Sequence, residues 1–529
     1  MQKTLMLIAA MSLAAHCRAE NAVVGSGTPA SCTTAAYNSA IALVINDNQG
    51  GALTFNCGPN PHVIAVGPKT LANSISIDGG GKITLDAQDL SRIFTVSLDG
   101  PDGRTEVTLS NIDLNRGNTA GEQFGGAILV NAFTQLTLNR VSIRNSLASV
   151  SGGAIATFAN AVLTISDSQF VSNIAANGGA IATRAVVSIT RSSFTNNVAS
   201  GGEGGAIQSY TQDLTIGAGT FRGNGARFGG AIFKRDQRLR VNESDFLNNT
   251  SSNDGGAIYV SAGAAEAQVA ATYFYDNSAT GSGGAIYSGA ALGLNFSTVG
   301  RNAAQSGGGI HLESAYLSMF GTTLHNNRAQ VRGGGVFIRA VTSSFPILFQ
   351  FVTASGNSAG NINGWGGDIA ITSSAPADAQ VYRSTLMNGA SSEGASIDVD
   401  GQVNLVIASS LIWARSGPAC TRNASATVAS AGNNIAPVAC GLALTGDALA
   451  TTYGQFRLSS FGSYGGGNHS FLPLPGSPAI DRFNDTFFSV DGRLQPTPID
   501  GDGNGTVLAD AGAVERQVFE DVIFLDGLE

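Results

Sequence analysis

The sequence predicts an all-β chain wound into one parallel β-helix, with about 11 to 14 coils between an N-terminal cap and a small C-terminal module. Three observations predict it. First, a Gly-Gly-small-aliphatic motif recurs and places its aliphatic residue at Ile128, Ile155, Ile181, Ile207, Ile232, Ile258, Ile286, Ile310, Val336, Ile369 and Ile397, mostly in steps of 24 to 28 residues with one of 33. Second, each repeat holds a short apolar pair with period-two alternation, and a bulky residue follows its second member by five: Ile165 and Phe170, Ile189 and Phe194, Ile216 and Phe221, Val241 and Phe246, Val269 and Phe274. Third, Asn stands three residues beyond the bulky position, at Asn173, Asn197, Asn224, Asn249, Asn277, Asn302 and Asn327, and again at Asn357.

Each element follows from elementary rules. Period-two alternation in runs too short for helices means strands, and no 3.6-residue period with caps interrupts the repeat region. A unit of about 25 residues cannot bury its apolar face alone, so successive units must stack, each about 4.8 Å above the last. From Val63 to Ile412 there is room for roughly 13 coils, a rod on the order of 60 Å long. The constant five-residue step admits no insertion, so variation collects at two corners. Stacked Ile, Leu and Phe columns fill the interior, stabilising it by about 25 cal/mol per Å² buried. The Asn positions are expected to form an internal amide ladder, and the double glycine to supply positive φ where the chain turns sharply. That the glycine motif recurs so often, with no Lys-Ser/Thr after it and no strand–helix alternation, excludes a nucleotide-binding loop.

A chain of 529 residues is too long for one ordinary core, which also favours a repeat architecture. Its first 19 residues read as a cleaved secretory signal: Lys3 at a basic start, an apolar run from Leu5 to Ala15, and small residues before a cut after Ala19. Lipid attachment at Cys17 is disfavoured by His16 before it. Only 12% of residues are charged, so Ser, Thr, Asn and Gln are expected to cover the surface. The net charge of -9 has no basic cluster within it, which excludes nucleic acid as a partner. Beyond the signal, no run reaches the roughly 18 apolar residues of a membrane helix. The four remaining cysteines fall into local pairs, Cys32 with Cys57 and Cys420 with Cys440, expected as disulfides in an exported protein, with free buried thiols as the alternative. A monomer is expected.

GGAI coils with Ser-x-Phe-x-x-Asn resemble the repeats of right-handed parallel β-helix (pectin-lyase-like) proteins of bacterial surfaces, including the polymorphic outer-membrane protein group. ASCTTAAYNSAI, GGALTFNCG and SISIDGGGKITLDA are similar to the N-terminal cap of exported β-helix proteins. LPLPGSPAIDRFND and DGRLQPTPIDGDGNGTVLADAGAVE are similar to the choice-of-anchor C-terminal region. The resemblance implies a right-handed coil and residence outside a Gram-negative cell or on its outer surface. It divides the chain into a signal (1–19), a cap (20–62), the β-helix (63–415), an anchor-like module (416–515) and a tail (516–529). VFEDVIFLDGLE, at the end of the chain, resembles a terminal sorting tag; an apolar closing strand is the alternative. No membrane barrel is expected in the Pro-, Gly- and Asp-rich residues after the last coil.

The pectin-lyase-like fold often cleaves acidic polysaccharides, which takes carboxylate-bound calcium with an Arg or Lys base, or two spaced carboxylates. Here the aligned coils place no acidic residues at matching positions in adjacent coils. His311 with Glu313, His325, Asp368 and the run Lys234, Arg235, Asp236 read as scattered surface groups. The expected function is therefore binding, adhesive or structural and non-catalytic, with glycans or cell-surface components as partners; a polysaccharide lyase or glycoside hydrolase is the alternative. No catalytic residue is assigned. The run DGDGNGTVLAD offers oxygen ligands at Asp500, Asp502, Asn504 and Asp510, the pattern of a calcium loop. Ala511 at the twelfth position excludes an EF-hand, and a plain acidic turn is the alternative.

Overall fold

The computed structural model describes all residues except 1–19, 48–49, 99–104, 120, 122, 314–315, 341–345, 361–363, 424 and 518–529. The segments read as a secretory signal (1–19) and as a terminal sorting tag (518–529) lie outside the described residues. The chain is an all-β parallel solenoid of about 14 turns. The aliphatic residues of the glycine motif pair coil to coil in one register, from Ile128, Ile155 and Ile181 through Val336 and Ile369 to Ile397.

A typical coil has four strands, Ile181–Thr183, Val186–Thr190, Ser193–Thr195 and Val198–Ala199. The step from second to third strand is constant for a backbone reason. Each such bend is made by a single left-handed residue, Asp167 (φ 51°), Arg191 (45°), Ala218 (51°) or Glu243 (51°), and an added residue would turn the next side chain away from the core. Beyond the bend, the rings of Phe170, Phe194, Phe221, Phe246 and Phe274 stack at 4.7 to 4.9 Å and are fully buried.

The buried Asn side chains that follow join coil to coil. The Oδ1 atom of Asn224 accepts from both the backbone N–H and the Nδ2 of Asn197, at 3.0 Å each, while its own Nδ2 donates to the Phe194 carbonyl and to Asn249 Oδ1. At the glycine corner the two glycines do different work. Gly178 takes φ +56°, and a Cβ on Gly179 would lie 2.2 Å from the carbonyl oxygen of Gly205 in the next coil.

At both ends the winding runs past the boundaries expected from the sequence. Glu20–Val24 pairs in parallel with Gly51–Phe55, which pairs with Ile75–Asp86, so coils begin inside the segment read as a cap (20–62). Cys420–Arg422, Thr427–Ser430 and Ile435–Ala436 continue the stack beyond residue 415. The C-terminal coils lack the Gly-Gly mark, so the repeat pattern could not show them; the N-terminal coils carry it once, at Gly50-Gly51-Ala52-Leu53, in the segment read as a cap. The helix Thr34–Asn46 lies over the first coils; the Thr33 side chain caps it by accepting from Ala36 N–H, and Tyr37, Ala40, Ile41 and Val44 are buried. Disulfides join Cys32 to Cys57 and Cys420 to Cys440.

After the last coils the chain folds back along the solenoid flank with little regular structure. Tyr273 Oη donates to the Gly467 carbonyl, Thr298 Oγ1 to Asn468 Oδ1, and Thr323 Oγ1 to the His469 carbonyl. Arg383, fully buried, donates to Asp485 Oδ2, Glu515 Oε2 and Thr497 Oγ1 at 2.9 to 3.0 Å, with the Phe351 ring 4.7 Å away.

Candidate functional site

The solenoid's faces differ in what they leave open. The face of the third strands is covered by the C-terminal module over its C-terminal coils, from Tyr273 to Thr385, and left open before them, as at Arg222. The face of the second strands presents short side chains such as Thr164, Ser188 and Thr215, with surface ion pairs linking Arg240 to Asp213 and Glu266. The face of the first strands, just past the glycine corner, is different. Its outward column, one residue after each core aliphatic, carries aromatic rings along much of its length.

Phe233, Tyr259, Tyr287 and His311 stack nearly parallel, with centroids 4.7 to 5.2 Å apart, and Phe337 closes the run edge-on to His311. Because the rings face one another, the ladder shows outsiders their edges. His311 Nε2 lies 2.9 Å from Glu313 Oε1, and Arg339 pairs with Glu313 at 2.6 Å. Burial works to raise the Glu313 carboxyl, but the bonds from His311 and Arg339 outweigh it and hold it below its usual range.

Two depressions flank this ladder, about 40 Å apart along the axis at about 4.8 Å per coil. On the N-terminal side the column shrinks to Ala156 and Ala182, leaving a hollow of about 110 Å³ walled by Phe124, Phe158, Arg184 and Tyr210. Tyr210 Oη donates to Glu203 Oε2 at 2.7 Å, and burial, with Glu203, pushes the phenol up to about 12. On the C-terminal side lies a cleft of about 240 Å³, lined among others by Arg332, Trp365, Glu393, Asp398, Asp400 and Arg422.

The cleft is built where two columns meet. Arg332, Trp365 and Glu393 each precede the first corner glycine and pair coil to coil. Arg332 lies over the Trp365 ring at 4.6 Å, and Trp365 Nε1 donates to Glu393 Oε2 at 3.0 Å. Asp398 comes from the outward column of the next strand and pairs with Thr421 above it. Thr421 Oγ1 donates to Asp398 Oδ1 at 2.5 Å, while burial pushes that carboxyl above its usual range. Asp400 follows at i+2 and so shares the same face.

The residues singled out from sequence are dispersed. His311 and Glu313 sit in the aromatic ladder. His325 is buried under the module against Phe461 and His469, and burial pushes its imidazole down to about 4. Asp368 and Lys234 are not surface groups: both are fully buried inside the solenoid, at inward positions of the first strand and its corner. Asp500 and Asp502 come together with Asp481, a residue the sequence reading passed over; among the described residues this is the trio whose ligand atoms lie within 4.8 Å of one another. Asn504 donates to Asp502 Oδ2 at 2.9 Å. Asp510 turns inward instead, accepting from Asp481 N–H and Arg516 N–H, and burial together with Glu515 raises it well above the carboxylate range. Reading acidic residues only at matching positions missed the cleft, whose carboxylates come from different columns of one coil. The usable signal was Arg, Trp and Glu in succession before the corner glycine.

Residues 191–210, 243–261 and 271–289 match the Chlamydia polymorphic membrane protein repeat. No curated protein and no solved structure matches the chain.

Proposed function

We propose that this is a cell-surface or outer-membrane β-helix protein that works by binding, with the first-strand face as its contact surface for glycans or other surface components. The stacked column on that face supports the reading: Tyr259 and Tyr287 are half-buried with their edges reachable, between the buried Phe233, His311 and Phe337, and Glu313 and Arg339 lie beside them. The likeness to polymorphic membrane protein repeats supports the location. A glycan array probed with the full chain tests it: binding should fall when Tyr259 and Tyr287 are both replaced by Ser, and retention of all binding by that variant would move the contact surface elsewhere.

One observation favours a second reading, cleavage of polysaccharide: three carboxylates and two guanidinium groups line a single cleft. Product release from a polysaccharide panel, followed by reducing ends and by ultraviolet absorbance of unsaturated ends, would replace binding with catalysis if Asp398→Asn abolished it. Calcium is the cation we propose for Asp481, Asp500 and Asp502, as a support for the module. Several of their oxygens already accept backbone N–H groups of the same loop, so the expected gain is small. A melting midpoint raised by calcium over chelator would bear this out; an unchanged midpoint leaves a plain acidic turn.

A further inference from the structure

The C-terminal cleft has a composition that selects among ligand charges. It presents carboxylates at Glu393, Asp398 and Asp400, and donors at Arg332, Arg422 and Asn423. An anionic ligand would meet three carboxylates, and a cationic one two guanidinium groups. The three carboxylates are not among the groups whose oxygens converge within 4.8 Å, so the arrangement is not that of a metal cage. A ligand rich in hydroxyls satisfies both sets, because each hydroxyl donates one hydrogen bond and accepts others.

Size and preorganisation agree with this. At about 240 Å³ the cleft falls just below the usual range of about 300–1,000 Å³ for drug-sized ligands, which suits a single ring-sized unit. Asp398 continues the outward column of the first strands two coils beyond Phe337, whose ring Arg332 approaches at 6.0 Å, so the cleft and the aromatic column share one face. Trp365 is half-buried, with its indole set by Arg332 on the ring and Glu393 at Nε1, and it lines the cavity as an apolar wall with its polar atom already satisfied. Asp398 is more than nine-tenths buried, and its Oδ1 is fixed by Thr421.

We propose that this cleft is a subsite for one ring of a neutral, polyhydroxylated sugar, held by hydrogen bonds to Asp398, Asp400 and the arginines and packed against Trp365. This rests on the reading of the first-strand face as a glycan contact surface. The chain has two tryptophans, Trp365 and Trp413, so Trp413→Phe leaves Trp365 as the sole indole reporter in the full chain. The probes are the methyl glycosides of glucose, galactose, mannose and N-acetylglucosamine, with glucuronate and glucosamine as charged counterparts.

At least one neutral glycoside should give a saturable fluorescence change, weakened about ten-fold or more by Asp398→Asn or by Asp400→Asn. Both variants are near-isosteric: Asp400→Asn should match the parent's melting curve, and Asp398→Asn, which replaces a carboxyl raised by burial, should melt no lower. Saturation-transfer NMR of the same glycosides with Trp365→Ala supplies a readout independent of the indole, and signal loss is expected. Equal response in the Asp398 and Asp400 variants, or preference for glucuronate or glucosamine, overturns the proposal. Glycan-array binding by the parent that survives Asp398→Asn and Trp365→Ala overturns the subsite and leaves the wider binding reading standing; no binding by the parent to array or glycosides overturns both.

Discussion

Asp368 stands where the preceding coils place Ala or Gly before the core aliphatic, and Gly389 stands where they place the ladder Asn. The two departures compensate. A Cβ on Gly389 would lie 2.6 Å from Asp368 Oδ2, so the carboxyl fills the space the missing Asn vacates, and Asn357 Nδ2 donates to Asp368 Oδ1 at 2.9 Å. Burial pushes this carboxyl well above its ordinary value. Above about pH 4 the unfolded chain therefore releases a proton that the folded chain keeps, and stability falls as pH rises until the folded group ionises. Asp368→Asn should raise the melting midpoint at neutral pH and flatten its decline above about pH 4, whereas Asp368→Ala should cost about 1–3 kcal/mol by leaving one Nδ2 hydrogen of Asn357 without an acceptor. Lys234 is the opposite case. Its ammonium is fully buried, donates to Ser209 Oγ at 3.0 Å and to the Gln212 carbonyl, and is pushed by burial from 10.5 down to about 8. Between those values the unfolded chain holds more protons, so stability should rise with pH through that window. Lys234→Met should remove the rise with pH through that window; denaturant melts across pH would show it.

At the scale of the coil, the glycine corner, the left-handed bend and the Asn ladder form one device. The corner needs backbones in near contact, the bend needs φ near +50°, and the ladder satisfies the buried polar groups that these turns create. Gly179→Val forces side-chain atoms onto the Gly205 carbonyl and the Val198 backbone, neither of which can yield without shifting a neighbouring coil. Its expected outcome is failed or much weakened folding, read by far-ultraviolet circular dichroism. A variant that kept the parent's melting curve but lost binding would return the corner to the status of a ligand loop.

At the scale of the molecule, the C-terminal module is fastened across the coils by Arg383, whose guanidinium reaches Asp485 and Glu515 with all three side chains out of solvent. Truncating it strands two buried carboxylates, which in comparable settings costs about 3–5 kcal/mol. Arg383→Met should therefore loosen the module while the stacked coils persist. Limited proteolysis should cut within residues 450–516 and leave the solenoid resistant; uniform resistance would show that the flank contacts at Asn468 and Thr385 suffice. Because the module closes the third-strand flank from Tyr273 onward, it also limits where on the C-terminal coils a partner can reach.

The sequence by itself determined what repeats: the period, the inward Ile and Phe columns, the Asn positions from Asn173 to Asn327, the glycine corner and the pairing of cysteines. Each of these is a contact between equivalent residues one coil apart, and a constant period brings equivalent residues together without further information. The N-terminal helix was also within reach, through Thr33 as a cap and the spacing of Tyr37, Ile41 and Val44. Only the tertiary structure decided what does not repeat. Arg383 meets Glu515 across 132 residues, Asp481 joins Asp500 and Asp502, and Trp365 faces Asp398 from a neighbouring column. Those neighbours are set by how corners of unequal length pack sideways and where the module lies down, and no periodicity encodes either.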